Sequence, residues 1–367
     1  MKKHEVFFDE NVLNKVSSEE IEKVLHKSNI DKMDFLKLLT YKDLSSLEKC
    51  ASKSHEESVK HFGKAVLLYA PLYIANKCVN RCVYCSFNES NNLIKRIKLT
   101  TDEIIEEAKE LSSMGIKHVL LLTGEEEKES GFIYVNESVK ILRQYFDSIM
   151  IEVAPLDQSH YEKLIDSGVD GVTIYQEVYD KEIYKKIHIK GPKADYRYRL
   201  DTPERACRAD IRSVNLGALI GLGDWRREIF LLGMHIKYIC EKYPHIEVGI
   251  SLPRIKGIQT SEKLSYDLKE INDTQFLQAL TALRLLVPHC AINISTRESS
   301  EFRKNLIPIG VNKMSAGVST SVGGYKVNRD DIGQFDISDK SSVEDVKKLI
   351  ESVGYQSIFK DWMSLDK

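Results

Sequence analysis

The stretch AVLLYAPLYIANKCVNRCVYCSF, residues 65 to 87, decides the fold because it joins an apolar run directly to a loop with three cysteines. The run AVLLYAPLYIA is rich in β-formers, which is typical of a strand that is buried on both faces. Cys78, Cys82 and Cys85 follow in one short loop, and no fourth cysteine lies near them. The stretch predicts a buried parallel strand whose following loop carries three thiols.

The pattern of a strand followed by a helix repeats along the rest of the chain. Eight strand-like runs, counted from Ala65, alternate with helical patterns, and this number and order are typical of a (β/α)₈ barrel of the TIM type. An open doubly wound sheet is the alternative. The later predicted strands lie in KHVLLLTGE, IMIEVAP, GVTIYQE, SVNLGALIGL, EVGISLPR, AINISTRE and NKMSAGVS.

The barrel pattern is flanked by two other segments, which together predict an α/β protein in three parts. Residues 1–62 are rich in charge and helical in pattern, and they predict an N-terminal helical extension. Residues 63–320 predict the barrel itself. Residues 321–367 predict a short tail with one helix and one strand, packed on the barrel.

Composition excludes several classes of function. The 367 residues have a net charge of -2, so no nucleic-acid or membrane surface is indicated. No apolar run is long enough to span a bilayer, and the N-terminus MKKHEVFFDENV does not have the pattern of a signal peptide. We therefore expect a cytoplasmic protein, in which the 7 cysteines are not paired in disulfides.

The spacing of the three cysteines is C-x₃-C-x₂-C, which fits few metal sites. A structural zinc site normally needs four ligands, and a ferredoxin-type cluster needs a fourth cysteine. Three thiolates on a [4Fe–4S] cluster leave one iron free to bind a substrate or cofactor. The alternative interpretation is three unrelated buried thiols, and ordinary packing is our interpretation of the four remaining cysteines, Cys50, Cys207, Cys240 and Cys290.

The cysteine loop closely resembles that of radical S-adenosylmethionine (SAM) enzymes. This resemblance implies that Cys78, Cys82 and Cys85 hold one [4Fe–4S] cluster whose free iron binds SAM. It also implies that the reduced cluster splits SAM to a 5′-deoxyadenosyl radical, which takes a hydrogen from the substrate. In this family an aromatic residue before the last cysteine packs by the adenine, and Tyr84 has that position.

Polar residues at the predicted strand ends are the candidates for binding SAM, because barrel chemistry lies at the carboxyl ends of the strands. TGE resembles the family's G-G-E-type motif for the SAM amine, YQE suits the ribose, and Arg199 suits a carboxylate. Turns and solvated charges are the alternatives. The candidate SAM-binding residues after Tyr84 are Thr123, Gly124, Glu125, Gln176, Glu177, Arg199 and Ile220.

Arg297 and Ser315 are the candidates for binding the substrate. Arg297 follows the predicted seventh strand in ISTRESSEFR, where a cation can hold the carboxylate of an amino acid, and Ser315 ends the eighth strand. The alternative for Arg297 is an ion pair with a neighbour such as Glu298.

Over roughly residues 65 to 365 the sequence resembles the aromatic amino-acid lyase branch of the radical SAM enzymes. That branch includes the 2-iminoacetate synthases of thiamine biosynthesis and a hydrogenase-maturation tyrosine lyase with further cysteines in a C-terminal domain. No cysteine follows Cys290, which favours the first activity, although SAGVSTSVGGY and KGPKADY resemble the maturase.

The resemblance implies that L-tyrosine is cleaved at its Cα–Cβ bond to 2-iminoacetate and p-cresol. It implies thiazole synthase as a physical partner and an electron donor such as flavodoxin or ferredoxin. The alternatives are a maturase-type tyrosine lyase, a radical SAM lyase of another amino acid, and an iron–sulfur carrier or sensor without enzymatic activity.

Overall fold

The computed structural model describes residues 16–261, 266–328, 331–360 and 362, and its centre is a parallel barrel of eight strands. Each strand pairs in parallel with the next, and β8 pairs back with β1, so the sheet closes. The predicted (β/α)₈ fold is confirmed. The barrel strands are β1 (Ala65–Ala75), β2 (His118–Thr123), β3 (Ser148–Glu152), β4 (Gly171–Glu177), β5 (Ser213–Ala218), β6 (Glu247–Ser251), β7 (Ala291–Ile294) and β8 (Lys313–Ser315).

The helices follow the predicted alternation, since every pair of consecutive barrel strands is joined by at least one helix. In the described part of the chain, three helices precede the barrel and one follows it. The helices are α1 (Ser18–Leu25), α2 (Lys32–Leu38), α3 (Leu44–Phe62), α4 (Thr101–Ser113), α5 (Glu127–Ser130), α6 (Phe132–Leu142), α7 (Gln158–Ser167), α8 (Lys181–Ile187), α9 (Tyr196–Leu200), α10 (Thr202–Arg208), α11 (Trp225–Lys242), α12 (Asp273–Leu286), α13 (Ser300–Leu306) and α14 (Val343–Ser352).

Local sequence signals explain where α4 begins and ends. Thr100 accepts a hydrogen bond from the backbone N–H of Glu103, and the Glu103 side chain accepts from the Thr100 N–H, which forms the capping box that the sequence predicts. The helix stops before Gly115, whose φ of +86° lies in the left-handed region that favours glycine.

Strand β1 is the longest of the described strands, and successive parts of it pair with two different neighbouring strands. Its residues Leu67–Tyr69 pair with β8, and its later residues from Ala70 onward pair with β2. Pro71, which has no N–H to donate, falls just beyond the last β8 pair, and its carbonyl oxygen accepts from the Tyr325 hydroxyl at 2.7 Å. A proline is tolerated in this central strand because the ladder on that side has already ended.

The segments that flank the barrel are tied to it by hydrogen bonds. Ser54 of α3 donates to the Ile309 carbonyl at 2.6 Å, and the short strand Gln356–Ile358 pairs in parallel with the start of β1. The division of the chain at residues 62 and 320 stays a prediction. Residues 1–15 of the predicted extension, and most of the last seven residues, lie outside the part that the structure describes.

Candidate active site at the carboxyl ends of the strands

A cavity that is partly open to solvent lies at the carboxyl ends of the barrel strands. Barrel enzymes carry their chemistry at this end, so the cavity is the candidate active site. The predicted site residues in its wall are Cys78, Tyr84, Cys82, Cys85, Thr123, Gly124, Glu125, Glu177, Arg199, Arg297 and Ser315.

The cysteine loop is braced by a second short strand. Arg81–Cys82 pairs in antiparallel fashion with His188–Lys190, the segment that follows α8. The Tyr84 hydroxyl lies 2.7 Å from His188 Nε2, and His188 Nδ1 lies 3.0 Å from the Tyr184 carbonyl oxygen. Because burial lowers the pKa of His188 to about 2, the imidazole is neutral: Nδ1–H donates to the carbonyl, and Nε2 accepts from Tyr84.

Arg96 holds the far side of the cysteine loop through four backbone carbonyls. One guanidinium nitrogen donates to Asn76 O at 3.0 Å and to Phe87 O at 2.8 Å. The other donates to Asn88 O at 2.5 Å and to Asn91 O at 3.2 Å. The loop is therefore fixed before any ligand binds, which is what a precise metal site requires.

The three thiols suit a cluster better than a single ion. Among the described residues, the three sulfur atoms of Cys78, Cys82 and Cys85 do not all lie within 4.8 Å of one another, as the ligands of one ion would. Three separated thiols on one cavity wall match a cubane, in which each cysteine binds a different iron. Burial raises the pKa of Cys85 to about 11, so deprotonation depends on the charge of the bound metal.

Beside the cysteines lies a buried network of four charged side chains. Lys193 Nζ donates to Glu177 Oε1 at 2.8 Å, and Arg199 donates to Glu125 Oε1 at 3.1 Å. Asn80 Nδ2 donates to the second oxygen of Glu125 at 2.7 Å, while its own amide oxygen accepts from the backbone N–H of Lys193. The strand ends β2 and β4 are thereby locked to the cysteine loop through ion pairs that are shielded from water.

The end of β4 departs from regular strand geometry. Glu177 has a φ of +67°, in the left-handed region that residues other than glycine rarely adopt, and such strain is concentrated at functional sites. The β4–β5 register shifts between Tyr175 and Glu177, so both face the cavity. Gln176 is buried but outside the cavity wall, and neither of its amide atoms has a hydrogen-bond partner among the described residues.

Three of the predicted SAM contacts, Arg199, Gly124 and Ile220, have surroundings in the structure that the sequence did not predict. Arg199 is engaged by Glu125, Glu177 and the Tyr175 carbonyl, so its position favours orienting the two carboxylates. Gly124 donates its N–H to Ala75 O at 2.8 Å, and an added Cβ would lie 2.2 Å from the Lys77 carbonyl oxygen.

Ile220 is also outside the cavity wall, because its backbone joins the segment after β6. Its N–H donates to Pro253 O and its carbonyl accepts from the Ile255 N–H, each at 2.8 Å. The neighbouring Leu219 lines the cavity in its place. The roles of Gln176 and Ile220 stay predictions.

Arg297 and Ser315 lie in the same cavity wall, at the ends of β7 and β8. The Arg297 guanidinium carbon is 3.4 Å from the centre of the Phe335 ring, and among the described residues no carboxylate forms an ion pair with it. The alternative partner, Glu298, binds Arg254 instead, with Nε to Oε1 at 2.9 Å. Ser315 Oγ is buried and makes no hydrogen bond within the described part of the chain.

The floor of the cavity has phenols and one carboxyl group. Tyr69, Tyr73 and Tyr175 project from β1 and β4, and Glu152 ends β3. Burial, with the nearby charge of Glu177, raises the pKa of Glu152 to about 7. This carboxyl group is poised to gain or lose a proton near neutral pH.

Several site residues escaped prediction from the sequence. Lys193 and Glu152 gave no signal beyond a charge near a strand or turn, and Arg96 resembled a solvated cation. Gln334 and Phe335 lie in the predicted tail, yet Gln334 Nε2 is 3.8 Å from Cys85 Sγ, and Phe335 stacks on Arg297. Glu152 had one usable signal, since it is the one charged residue of the predicted strand IMIEVAP.

No helix of the described residues is both long and apolar enough to cross a bilayer.

Comparisons with known proteins agree with this geometry. A model of the Radical SAM superfamily matches residues 72–232, and a model of the Biotin and Thiamin Synthesis associated domain matches residues 251–356. The first contains the end of β1, the cysteine loop and β2 to β5, and the second runs from the last residue of β6 to the first residue of the C-terminal strand.

Relatives match the chain over nearly its full length. The 2-iminoacetate synthase of Escherichia coli (strain K12) is 35% identical over 96% of this chain and 93% of its own length. Two structures of the [FeFe]-hydrogenase maturase HydG, one of them from Carboxydothermus hydrogenoformans, superpose with a TM-score of 0.89. They are 29% and 28% identical over 96% of this chain, and the match covers 80% and 82% of their chains.

Motif, fold and relatives confirm the predicted cofactors, one [4Fe–4S] cluster and SAM, and the predicted assignment as a radical SAM carbon–carbon lyase. The chain is a member of the 2-iminoacetate synthase family of radical SAM enzymes.

Proposed function

We propose that this protein cleaves the Cα–Cβ bond of L-tyrosine to 2-iminoacetate and p-cresol for the thiazole half of thiamine. The observation that carries the proposal is a cation, Arg297, that has no ion-pair partner among the described residues and lies in the wall of a cavity that the three cysteines also line. Full-length similarity to a 2-iminoacetate synthase supports the same activity.

The cluster and SAM, when bound, supply the means of removing one hydrogen atom from the substrate. Cys78, Cys82 and Cys85 hold the cluster. Thr123, Glu125 and Tyr84 face SAM, while Arg199 and Lys193 orient the carboxylates of Glu125 and Glu177.

Arg297 binds the tyrosine carboxylate through its guanidinium fork, and Ser315 Oγ adds a hydrogen bond. Stacking on Phe335 restricts the plane of the guanidinium, which has no competing carboxylate among the described residues. One of its nitrogens donates to the Arg254 carbonyl oxygen at 3.4 Å, and the remaining donors are left for the substrate. This clamp fixes the amino group and the Cα–Cβ bond relative to the cofactor side of the cavity.

Glu152 accepts the phenolic proton of the substrate. Its carboxyl group lies in the cavity wall, and its pKa of about 7 is suited to proton exchange at neutral pH. Loss of that proton favours cleavage because the negative charge on oxygen stabilises the 4-hydroxybenzyl fragment that leaves Cα.

The products require further steps outside this chain. The 4-hydroxybenzyl radical becomes p-cresol when its benzylic carbon gains one electron and one proton and its oxygen regains the phenolic proton from Glu152, so a reduced donor such as flavodoxin or ferredoxin is needed. 2-Iminoacetate hydrolyses readily in water to glyoxylate and ammonia, so transfer to thiazole synthase as a physical partner protects it.

The test is anaerobic incubation of the cluster-loaded protein with dithionite, SAM and L-tyrosine. We expect 5′-deoxyadenosine, p-cresol and glyoxylate without cyanide. Cyanide would support the maturase-type alternative, which the similarity to HydG favours. Deoxyadenosine without p-cresol would exclude tyrosine, and no SAM cleavage by a fully loaded cluster would contradict the enzyme assignment.

A further inference from the structure

A second group of metal-binding side chains lies at the opposite end of the barrel from the cavity. Cys240 is near the end of α11, and His289 and Cys290 directly precede β7. Their ligand atoms all lie within 4.8 Å of one another, which no other group of three or more His, Cys, Asp or Glu side chains does in the described part of the chain. From the sequence we had interpreted both cysteines as ordinary packing.

The distance between the two sulfur atoms distinguishes between the possible roles of the pair. Cys240 Sγ and Cys290 Sγ are 3.6 Å apart. A disulfide bond needs about 2.05 Å, so the two thiols are not bonded to each other in this structure. Two thiolates on one tetrahedral zinc ion, each at about 2.3 Å, lie about 3.7 Å apart. The observed separation therefore fits the edge of a zinc tetrahedron.

The loop that carries His289 and Cys290 is held in place from beneath. The fully buried Arg284 donates to the Pro288 carbonyl at 2.9 Å and to the Cys290 carbonyl at 2.6 Å. Its other nitrogen donates to Gly310 O at 2.7 Å. These bonds fix the backbone on both sides of His289, so two of the three ligands are positioned without help from a metal.

The three side chains differ in burial, so that one side of the group is open to solvent, as an accessible ion site requires. Cys290 is buried, Cys240 is half-buried and His289 is exposed. Imidazole and thiolates are ligands that zinc prefers, and an exposed imidazole leaves the fourth position to water.

We propose that Cys240, His289 and Cys290 bind one zinc ion, with water as the fourth ligand, and thereby fasten α11 to the start of β7. The ion is independent of the cluster and of the proposed tyrosine lyase activity. Its effect is on the stability of the amino-terminal end of the barrel, because a ligand that binds only the folded state stabilises that state.

The experiment uses full-length protein with its [4Fe–4S] cluster loaded, so that the cavity cysteines are occupied. Zinc is added alone, excess ion is removed with a weak chelator, and metal per chain is measured by inductively coupled plasma mass spectrometry. We expect about one zinc per chain, with X-ray absorption showing two sulfur ligands at about 2.3 Å and one nitrogen near 2.0 Å.

Variants separate this site from adventitious zinc. We expect Cys240→Ser and Cys290→Ser to retain less than about a fifth of the zinc, and His289→Ala to weaken zinc affinity by about tenfold or more. Cys50→Ser, at another buried thiol, and His245→Ala, at another exposed histidine, are matched controls that should bind zinc as the unchanged protein does.

The proposal is overturned if unchanged protein binds no more zinc than Cys240→Ser, or if His289→Ala binds zinc with unchanged affinity. His289→Ala changes an exposed side chain, so this second comparison does not depend on a variant that misfolds. Finding the two cysteines oxidised to a disulfide, with no zinc uptake by the reduced pair, would also overturn it.

Discussion

The two ends of the barrel have cysteine groups of opposite design. At the carboxyl ends of the strands, three thiols are separated on one wall of a large cavity beside a network of buried charges. At the amino-terminal end, two thiols and an imidazole converge on a point beside one buried arginine. The distances between the sulfur atoms, more than the number of cysteines, therefore indicate whether a cluster or a single ion fits.

The largest expected effect is on iron content, which should depend on the cysteines of the cavity but not on those at the amino-terminal end of the barrel. Cys82→Ala should reduce iron from about four atoms per chain to nearly none and abolish SAM cleavage, because the cluster loses one of its three protein ligands. Cys240→Ser should leave the iron content unchanged. Iron analysis and 5′-deoxyadenosine assays measure both, and a Cys82→Ala protein that keeps its cluster would invalidate the contrast.

The next-largest effect is on stability, and it contrasts a buried ion pair beside the cavity with a half-exposed ion pair near the other end of the barrel. Lys193→Met should lower the free energy of unfolding by about 3 kcal/mol, because it leaves the buried Glu177 with only the more distant Arg199. Lys242→Met, which removes a half-exposed pair with Glu204 near the other end, should have a much smaller effect, because water screens that pair. Denaturant unfolding monitored by circular dichroism measures both. Equal losses would show that the buried ion pair of the cavity contributes no more to the free energy of unfolding than the half-exposed pair does.

A third prediction concerns proton transfer in the cavity. Because the pKa of Glu152 is raised to about 7 by burial, the group is protonated below that pH and ionised above it. As a base it requires the ionised form, so p-cresol formation should rise as the pH increases through about 7.

Glu152→Gln should remove this rise and lower kcat by about a hundredfold. Glu247→Gln, at the amino-terminal end of the barrel, should leave the pH profile unchanged. An unaltered profile in Glu152→Gln would assign the phenolic proton to another group.

The smallest expected effect tests the substrate clamp. Arg297→Met should reduce kcat/KM for tyrosine by about thirtyfold, since a charge-assisted hydrogen bond contributes about 2 kcal/mol. SAM binding, measured by isothermal titration calorimetry, should not change. Arg197→Met, an exposed arginine outside the cavity wall, is the control, and equal effects of the two variants would contradict the clamp.

The comparison also explains how much the sequence could predict. The three cavity cysteines lie in one loop, so their grouping is visible in the sequence, and the strand-end rule placed Glu125, Glu177 and Arg297 in one cavity. Cys240 and Cys290 are 50 residues apart, and only the packing of neighbouring β/α units brings them together. Hydrophobic periodicity predicts elements, but it does not predict which distant helix end meets which strand start.

Loop residues were the hardest to predict, for a physical reason. Lys193 and Arg96 act through buried pairs and backbone carbonyls, and a cation in a loop has the same sequence signature whether it is buried or solvated. The sequence could not show that Gln176 and Ile220 lie outside the cavity wall. The register shift at the end of β4, and the bridge from Ile220 to the segment after β6, change which neighbouring residue faces the cavity.

The closure of the barrel by β1 has a consequence for synthesis. β1 leaves the ribosome early, but its partner β8 is made about 250 residues later, and Gln356–Ile358, which also pairs with β1, is made later still. Until then one edge of β1 is an open, apolar template for incorrect pairing, as in other slow folders with distant contacts. A ribosome that stalls before codon 315 therefore releases a chain that has the complete cysteine loop but cannot close the barrel around it.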